Sequence, residues 1–246
     1  MNKLKFTIIT VCYNAEDCIE ETIKSVLHQT LKNIQYIIID GASTDNTLKI
    51  INKYKGDIDV IVSEPDQGIY DAMNKGLNLA NGHFLNFLNA GDTFSNKNTL
   101  SIVNENIKNE TKIISGDFNL ISTNNKSSII KTKKITWKYF KKDFYACHQA
   151  IFIHYSIVSF YDVNYKIKAD YKWVLDALSK TEEASVVKID QPLVNYDANG
   201  FSSKNSFNNL DELMRLHKNY FGRIQILLNL DVYVFRILRD LKSRFI

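Results

Sequence analysis

The sequence lacks the residues that would build an unusual scaffold. Its 246 residues include only three cysteines, two prolines and nine glycines. The cysteines, at positions 12, 18 and 147, have no zinc-site spacing, and their odd number argues against a disulfide framework. Reduced thiols in a cytosolic protein are therefore expected. So few prolines and glycines also argue against long flexible linkers.

Long apolar stretches and an excess of one charge are lacking as well. No run approaches the ~18 apolar residues of a membrane-spanning helix, and the N-terminal run from Phe6 to Val11 is too short for a secretory signal. The 31 lysines and arginines exceed the 27 aspartates and glutamates by four, which gives a net charge of +4. With so small a charge and no recognised module, no nucleic-acid partner is expected.

The composition that remains is typical of a globular protein, with 45% hydrophobic and 24% charged residues. A chain of this length can bury roughly 70–75% of its unfolded surface. It therefore needs no disulfide or metal scaffold to fold. One large domain, or a domain with a tail, is expected.

Apolar runs and amphipathic segments alternate through the first hundred residues. Four runs are typical of buried strands and three segments have helical spacing. The strands are Phe6–Val11, Ile34–Ile39, Ile58–Val62 and His83–Leu88, and the helices are Asp17–Gln29, Thr47–Tyr54 and Ile69–Ala80. This order predicts an α/β fold with a mostly parallel open sheet.

Polar residues follow each predicted strand. They are Cys12-Tyr13-Asn14, the segment from Asp40 to Asp45, Ser63-Glu64-Pro65-Asp66, and Asn89-Ala90-Gly91-Asp92. The carboxyl ends of parallel strands share one edge of the sheet, which is where open α/β sheets bind ligands. A single aspartate there often only caps a helix or forms a turn. Four such turns in succession favour a binding site.

The residues at this edge narrow the choice of ligand. The G-x-G-x-x-G and Walker signatures are absent, and the edge is acidic. An acidic edge can hold a diphosphate when a divalent cation lies between them, because Mg²⁺ and Mn²⁺ prefer one or two carboxylates plus substrate phosphates. The pattern therefore predicts a metal–nucleotide site, without naming the reaction.

The chain resembles glycosyltransferase family 2, which has the GT-A fold. The resemblance covers roughly residues 4–205 and depends on the order and spacing of TVCYNAEDCIEETIKSVLHQT, YIIIDGASTDNT, SEPDQGIYDAMNKGL, NGHFLNFLNAGD, CHQAIF, NYKIKADYKWVLDAL and VNYDANGFSS. This variant is similar to enzymes that assemble bacterial surface polysaccharides. The resemblance implies a Rossmann-like sheet with helices on both faces, and hexosyl transfer from a nucleotide sugar, most commonly a UDP-sugar.

The resemblance also implies residues that bind the donor. At the nucleotide and diphosphate it places Thr10, Asn14, Asp40, Glu64, Asp66 and Asn74, with Asp45 capping the next helix. The family often has arginine before that asparagine. Here Met73 stands in its place, and Lys75 is the nearest substitute for the missing charge.

A Mn²⁺ or Mg²⁺ site is implied where the family often reads D-x-D-D and this chain reads Asn89-Ala90-Gly91-Asp92. Asp92 alone keeps a carboxylate, and Asn89 would bind through its amide oxygen. A plain turn is the alternative interpretation.

Residues beyond about 111 are expected to bind the acceptor. Strands are predicted at Lys112–Ser115, Phe118–Ser122, Ser128–Lys131 and Ala150–His154, and a helix at Tyr171–Leu178. A lysine run at 131, 133, 134, 138, 141 and 142 is either a solvated face or a loop near an anionic donor or acceptor.

The resemblance places His148 and Gln149 near the donor sugar, and Asp170 at the catalytic base; a structural histidine and a helix N-cap are the alternatives. A sugar hydroxyl is a poor nucleophile, so a carboxylate must take its proton as it attacks the anomeric carbon. One base opposite the departing diphosphate means a single displacement with inversion, by analogy with inverting hydrolases. The resemblance also places Gly200 in a segment that closes over the donor; an ordinary Asn-Gly turn is the alternative.

The expected organisation is a GT-A domain at 1–205, divided at about 110 into nucleotide-binding and acceptor-binding halves, followed by a helical segment at 206–246. Beyond residue 220, apolar residues at helical spacing coincide with an excess of basic residues: Arg223, Arg236, Arg239, Lys242 and Arg244, against Asp231 and Asp240. Such a helix packs on the core or in a homodimer, or lies on an anionic membrane surface.

The sequence thus predicts an inverting glycosyltransferase that uses a nucleotide sugar. Its acceptor would be a saccharide or a polyprenyl-linked saccharide, met in the cytoplasm or at the inner face of the cytoplasmic membrane. The altered metal motif suggests the alternative, a catalytically inactive nucleotide-sugar-binding or scaffold protein of the same fold.

Overall fold

The computed structural model describes residues 5–122, 126–144, 146–197 and 208–235. Its strands are β1 (Phe6–Cys12), β2 (Ile34–Asp40), β3 (Val60–Ser63), β4 (Phe84–Phe87), β5 (Thr93–Phe94), β6 (Ile113–Ile121), β7 (Ser127–Ile130), β8 (Ile151–His154) and β9 (Val186–Asp197). Its helices are α1 (Ile19–Leu27), α2 (Thr47–Asn52), α3 (Ile69–Leu79), α4 (Thr99–Glu105), α5 (Trp137–Phe140), α6 (Ala169–Ser179), α7 (Asn208–Phe221) and α8 (Arg223–Leu228).

All the strands join in one sheet, in the order β3-β2-β1-β4-β8-β6-β9-β5, with β7 paired to β6. The four strands predicted in the first half pair in parallel. Strand β8 then runs antiparallel to β4 and β6, and β6 pairs in parallel with β9. The predicted α/β fold class is confirmed, and the second half of the chain extends the sheet of the first.

Helices cover both faces of the sheet. Ile9 and Val11 of β1 pack in one apolar cluster with residues of α3, α6 and α7. Phe6 and Ile8 pack in the other, with residues of α1, α2 and α4. Successive side chains of a strand point to opposite faces, so a strand covered on both sides must be apolar throughout. This requirement explains the continuous apolar runs in the sequence.

The second half departs from the sequence pattern in β6 and β9. The two strands predicted at 112–115 and 118–122 form the single strand β6, whose register with β9 shifts around Asp117. The 12-residue strand β9 was not predicted. Its centre carries Lys188, Asp190 and Pro192, which are typical of a loop; Pro192 lies at the shift in register, a position where a strand tolerates proline.

The C-terminal helices pack beside α6. Leu213 and Leu216 of α7 are fully buried in the same cluster as Trp173 of α6. Helical residues continue at 230–235. Over the described ranges, no helix is long and apolar enough to cross a bilayer.

Candidate active site

A cavity of ≈ 790 Å³ opens where the strands of the parallel half end. Its walls come from seven parts of the chain: the segments after β1, β3 and β4, strand β6, the turn before β8, the start of α6 and the end of β9. The polar residues among those that line it are Asn14, Asp66, Asn89, Asp92, His148, Gln149, Lys168, Asp170 and Asp197. The fold thus brings together side chains that are up to about 180 residues apart in sequence.

Helix α1 fixes the turn after β4. The Thr22 hydroxyl donates to the carbonyl of Asp92 at 2.8 Å and accepts the Gly91 N–H at 3.0 Å. Gly91 has φ +97°, a conformation that favours glycine. Among the described residues, the amide Oδ1 of Asn89 is buried and has no hydrogen-bond partner. The turn therefore presents an unsatisfied acceptor at the cavity.

Asp92 is a buried carboxylate, with 4% of its surface exposed. It accepts hydrogen bonds from Gln149 Nε2 at 2.8 Å and from the Asp197 N–H at 3.0 Å. Burial raises its pKa to about 7, although both hydrogen bonds act in the opposite direction. Loss of hydration makes the isolated anion costly. A nearby cation would therefore stabilise it.

The donor set of this turn fits a hard divalent cation. Asn89 offers a buried, unpartnered amide oxygen, and the Asp92 carboxylate keeps lone pairs beyond its two hydrogen bonds. Mg²⁺ and Mn²⁺ bind through one or two carboxylates and complete their coordination with substrate phosphates. No group of three or more His, Cys, Asp or Glu side chains in the described part of the chain is arranged to hold a metal by itself. A cation here would therefore depend on a phosphate ligand.

Asp170 and His148 face each other on the other side of the cavity. His148 Nδ1 lies 3.7 Å from Asp170 Oδ2, which exceeds hydrogen-bond distance. Burial lowers the His148 pKa, and Asp170 only partly opposes this shift, so the imidazole is neutral near pH 7. Its Nε2 is buried without a partner among the described residues. Asp170 lies in the first turn of α6, where the helix dipole favours negative charge.

The dipeptide His148-Gln149 links the two carboxylates, because its first residue adjoins Asp170 and its second binds Asp92. The short 3₁₀ turn that carries it, His148–Ala150, is held by the sheet. The buried Asn86 amide donates to the carbonyl of Gln149 at 2.7 Å and to that of Ile151 at 2.9 Å. Both side chains are therefore positioned by one turn that is hydrogen-bonded to β4.

The predicted nucleotide end of the cavity is built around Asp40. This carboxylate is fully buried and accepts from the Ser63 hydroxyl at 2.6 Å and from the Ser43 N–H at 3.1 Å. Asn14 lines the cavity with φ +47°, and its Oδ1 accepts the Thr44 N–H at 2.8 Å. These bonds join the loops after β1, β2 and β3.

Asp66 belongs to the same end of the cavity. Its Oδ1 accepts the Gly68 N–H at 2.8 Å, ahead of α3. A Cβ at Gly41 would lie 2.4 Å from Asp66 Oδ2. Gly41 therefore leaves room for the Asp66 side chain, which the methyl group of an alanine would displace.

The family model of Glycosyl transferase family 2 matches residues 7–166 of this chain. The chain belongs to glycosyl transferase family 2. A PGL/p-HBAD biosynthesis glycosyltransferase of Mycobacterium tuberculosis (strain ATCC 25177 / H37Ra) is 31% identical over 183 residues, which cover 71% of this chain and 70% of that protein. The Escherichia coli UDP-Glc:alpha-D-GlcNAc-diphosphoundecaprenol beta-1,3-glucosyltransferase WfaP is 42% identical over 87 residues, 35% of each protein.

Solved glycosyltransferase structures share the fold. S. aureus TarS 1-349 in complex with UDP-GlcNAc superposes with a TM-score of 0.71 at 17% identity, covering 95% of this chain and 72% of that chain. Another TarS crystal structure gives 0.70 at 18% identity, and this match spans 39% of the TarS chain. Identities this low show a common fold alone.

Five residues that the family resemblance placed at the donor do not line the cavity: Thr10, Asp40, Glu64, Asn74 and Lys75. The Thr10 hydroxyl is buried and donates to the carbonyl of Leu88 at 2.8 Å. Asn74 binds the backbone of Tyr161 through both amide atoms, at 2.9 and 2.7 Å. Lys75 pairs with Glu64 at 2.9 Å and donates to the carbonyl of Pro65. In this structure these residues stabilise the walls of the site.

Asp197 and Lys168 are polar cavity residues that the sequence analysis did not name individually, although Asp197 falls in the segment 196–203 that the resemblance placed over the donor. Asp197 ends β9, its N–H binds Asp92, and its carboxylate lies beside Gly91. Recognition of β9 as a strand would have placed Asp197 at the ligand-binding edge by the same rule that selected Asp92. The missed apolar lining includes Tyr70, Phe118, Phe144 and Tyr196. Gly200 lies outside the described residues.

The lysine run lies outside the cavity. None of its six lysines is among the residues that line the cavity. Lys142 instead pairs with Asp231 at 3.7 Å, and the carbonyl of Lys141 accepts from Asn229 at 2.5 Å. The run therefore adjoins the C-terminal helices.

Proposed function

We propose that this enzyme transfers a sugar from a UDP-sugar to a hydroxyl of a saccharide, with inversion at the anomeric carbon, in the synthesis of a bacterial surface polysaccharide. The observation that carries the proposal is the linkage of Asp170 and Asp92 by His148-Gln149 within one cavity. The proposed base and the proposed leaving-group site therefore lie in one cavity.

Asp170 is the proposed general base. It would accept the proton of the acceptor hydroxyl as that oxygen bonds to the anomeric carbon, while the bond from this carbon to the diphosphate oxygen breaks. The UDP leaves with the bonding electron pair. In this proposal one carboxylate acts on the sugar, as base and not as nucleophile, so a single displacement with inverted configuration results. His148, neutral and with an unpartnered Nε2, can hydrogen-bond a sugar hydroxyl beside the base.

Asp92 and Asn89 are the residues that would hold Mn²⁺ or Mg²⁺ together with the diphosphate. When bound, such a cation neutralises the charge that develops on the leaving group. Gln149 orients the Asp92 carboxylate through the 2.8 Å hydrogen bond. Asn14, Asp40 and Asp66 would shape the nucleoside end, Asp40 by fixing the loops and the other two by direct contact.

The names of relatives support the choice of substrates. WfaP is named as a UDP-Glc transferase that acts on a diphosphoundecaprenol-linked sugar, and TarS was crystallised with UDP-GlcNAc.

A second cavity of ≈ 510 Å³ shares Gly91 and Asp197 with the first and is lined by Thr93, Ser122, Ser127 and Asn195. Its hydroxyls and amides would suit the part of a neutral saccharide acceptor that lies away from the attacking hydroxyl, which must itself reach Asp170 in the first cavity. A lipid-linked acceptor would place the reaction at the inner face of the cytoplasmic membrane.

The direct test is a product assay by NMR. Purified protein would be incubated with a panel of UDP-sugars, Mn²⁺ and candidate lipid-linked monosaccharides, and the anomeric configuration of donor and product compared. The expected result is a β-linked product from an α-linked donor, with loss of turnover in EDTA. Retention would overturn the inverting mechanism. UDP binding without turnover on any acceptor would favour the inactive binding protein.

A further inference from the structure

An exposed apolar strip runs along the C-terminal helices. Six large apolar side chains within residues 224–235 are between 51% and 73% exposed: Ile224, Leu227, Leu228, Leu230, Val234 and Phe235. The inward face of the same segment is apolar as well, since Ile226 and Val232 pack against the core and Tyr233 is buried. A contiguous patch of exposed large apolar side chains is typical of a surface that binds a partner or a membrane.

Basic side chains border this strip. Helix α5 packs beside the C-terminal helices through Trp137 and Phe221, whose ring centroids are 5.6 Å apart. It brings exposed Lys138, Lys141 and Lys142 to the strip, and Arg223 is exposed at its other end. Asp231 pairs with Lys142 at 3.7 Å, so these two charges cancel, and Glu183 accepts the backbone N–H of Trp137 at 3.0 Å. The excess positive charge of the border therefore comes from Lys138, Lys141 and Arg223. An apolar strip with a cationic border results.

We propose that this basic–apolar surface binds an anionic lipid bilayer. Apolar side chains would enter the headgroup boundary while lysines and Arg223 contact anionic headgroups, which is the chemistry of an interfacial helix. The lysine run and the C-terminal helices, far apart in sequence, then act as one membrane surface. This binding is independent of donor and turnover.

A second copy of the chain fits the surface less well. A two-fold dimer would pair the strip with itself, which would bring the lysines and Arg223 of one copy against those of the other. Like charges opposed across a desolvated interface are unfavourable. Anionic headgroups instead offer the opposite charge.

Co-sedimentation of the full chain with vesicles tests the proposal. We expect binding to phosphatidylglycerol-rich vesicles, little binding to phosphatidylcholine alone, and weaker binding as salt rises. Lys138→Gln with Lys141→Gln should weaken binding by about 25-fold, at about five-fold per lysine. The matched control is Lys49→Gln with Lys55→Gln, because these exposed lysines lie on and just after α2, which packs on the other face of the sheet; we expect less than about two-fold.

Substitutions in the apolar strip test its contribution to vesicle binding separately. Leu227→Gln with Leu228→Gln should weaken vesicle binding by about ten-fold or more, whereas Ile129→Gln with Phe160→Gln, at comparably exposed positions outside the strip, should not. Circular dichroism would verify folding of every variant. If the full chain ignores anionic vesicles, or if the lysine pair behaves like its control, the proposal is wrong. A dimer that the leucine pair dissociates, without vesicle binding, would assign the strip to a second copy.

Discussion

Two aspartates of the cavity meet different surroundings, and the difference suits two different tasks. Asp92 is buried among neutral donors, and burial raises its pKa to about 7. Asp170 is more exposed, with 17% of its side chain accessible, at the N-terminus of a helix and 3.7 Å from a neutral imidazole. A buried anion gains most from a cation, whereas a carboxylate at the mouth of the cavity can exchange a proton with substrate.

Replacement of Asp170 by asparagine tests the base. Asp170→Asn should lower kcat by roughly 10²–10⁴ because the amide cannot accept the acceptor's proton, and UDP affinity should change little. The control is Asp176→Asn on the same helix, whose carboxylate binds Lys172 at 2.9 Å and the Tyr220 hydroxyl. Steady-state turnover and UDP titration would be measured for both. Near-normal turnover of Asp170→Asn would remove it from the mechanism.

The raised pKa of Asp92 predicts a pH-dependent stability in the absence of divalent cations. Between about pH 4 and pH 7 the folded chain holds a proton that the unfolded chain has released. The unfolded state then binds fewer protons, so the free energy of unfolding falls as pH rises through this window, by up to about 4 kcal/mol. Asp92→Asn, which stays neutral, should lack this fall.

Urea denaturation at pH 5 and pH 8 in EDTA would measure the effect. Asp190→Asn is the control, since that side chain is 93% exposed. Its pH dependence should match that of the wild type. An Asp92→Asn curve parallel to the wild type would show that Asp92 is charged at both pH values.

At the scale of elements, the C-terminal helices support the segment that carries Asp170. The buried Glu212 of α7 accepts three backbone N–H groups, those of Lys166, Ile167 and Lys168, at 2.6, 3.0 and 2.8 Å. These residues enter α6 directly before Asp170. The position of the proposed base therefore depends on a helix that the sequence assigned to a separate segment.

Replacement of Glu212 should affect both stability and activity. Glu212→Gln offers one acceptor oxygen where the carboxylate offers two, so we expect a loss of about 2 kcal/mol or more in the free energy of unfolding. We also expect a lower kcat, because Asp170 loses its support. Asp211→Asn, next along α7 and 81% exposed, should change neither. Denaturation and turnover would be compared, and an unaffected kcat in folded Glu212→Gln would show that α6 is positioned without α7.

The strands that the sequence predicted are those whose apolar pattern follows from burial alone. Strands β1 and β2 are covered on both faces and so read as apolar runs. Strand β9 does not, because its Lys188 is paired inside the fold with Asp117 at 2.6 Å, a partner 71 residues away. Pairing of this kind cannot be inferred from one strand's sequence, and it hid both β9 and Asp197.

Prediction of the site residues from sequence meets the same limit. The edge rule selected Asp92, and resemblance selected His148, Gln149 and Asp170; all four line the cavity. Resemblance also selected Asn74, but both atoms of its side-chain amide form hydrogen bonds with the Tyr161 backbone. A polar residue near a strand end binds ligand or binds neighbouring loops, and only the three-dimensional contacts distinguish the two.

At the scale of the whole molecule, the cavity joins loops from distant parts of the chain. Asn14, Asp66, Asn89, His148 and Asp197 line it together, so a bound ligand would tie the two halves of the sheet to each other. Ligand that binds only the folded state stabilises it by RT ln(1 + [L]/Kd). Thermal stability therefore reports donor binding for the entire chain.

UDP with Mn²⁺ at about 100 times its Kd should stabilise the folded state by about 2.7 kcal/mol, which raises Tm by roughly 5–10 °C for a chain of this size. EDTA should remove most of the shift, because Asp92 and Asn89 need the cation to hold a diphosphate. Asp92→Ala should reduce the Mn²⁺-dependent part more than Asn89→Ala does, since Asp92 brings negative charge to the ion and Asn89 only an amide oxygen. Differential scanning fluorimetry of the three proteins, with and without EDTA, measures each contribution. If UDP raises Tm equally with EDTA present, the diphosphate is bound without a cation, and the assignment of Asp92 to a metal site is wrong.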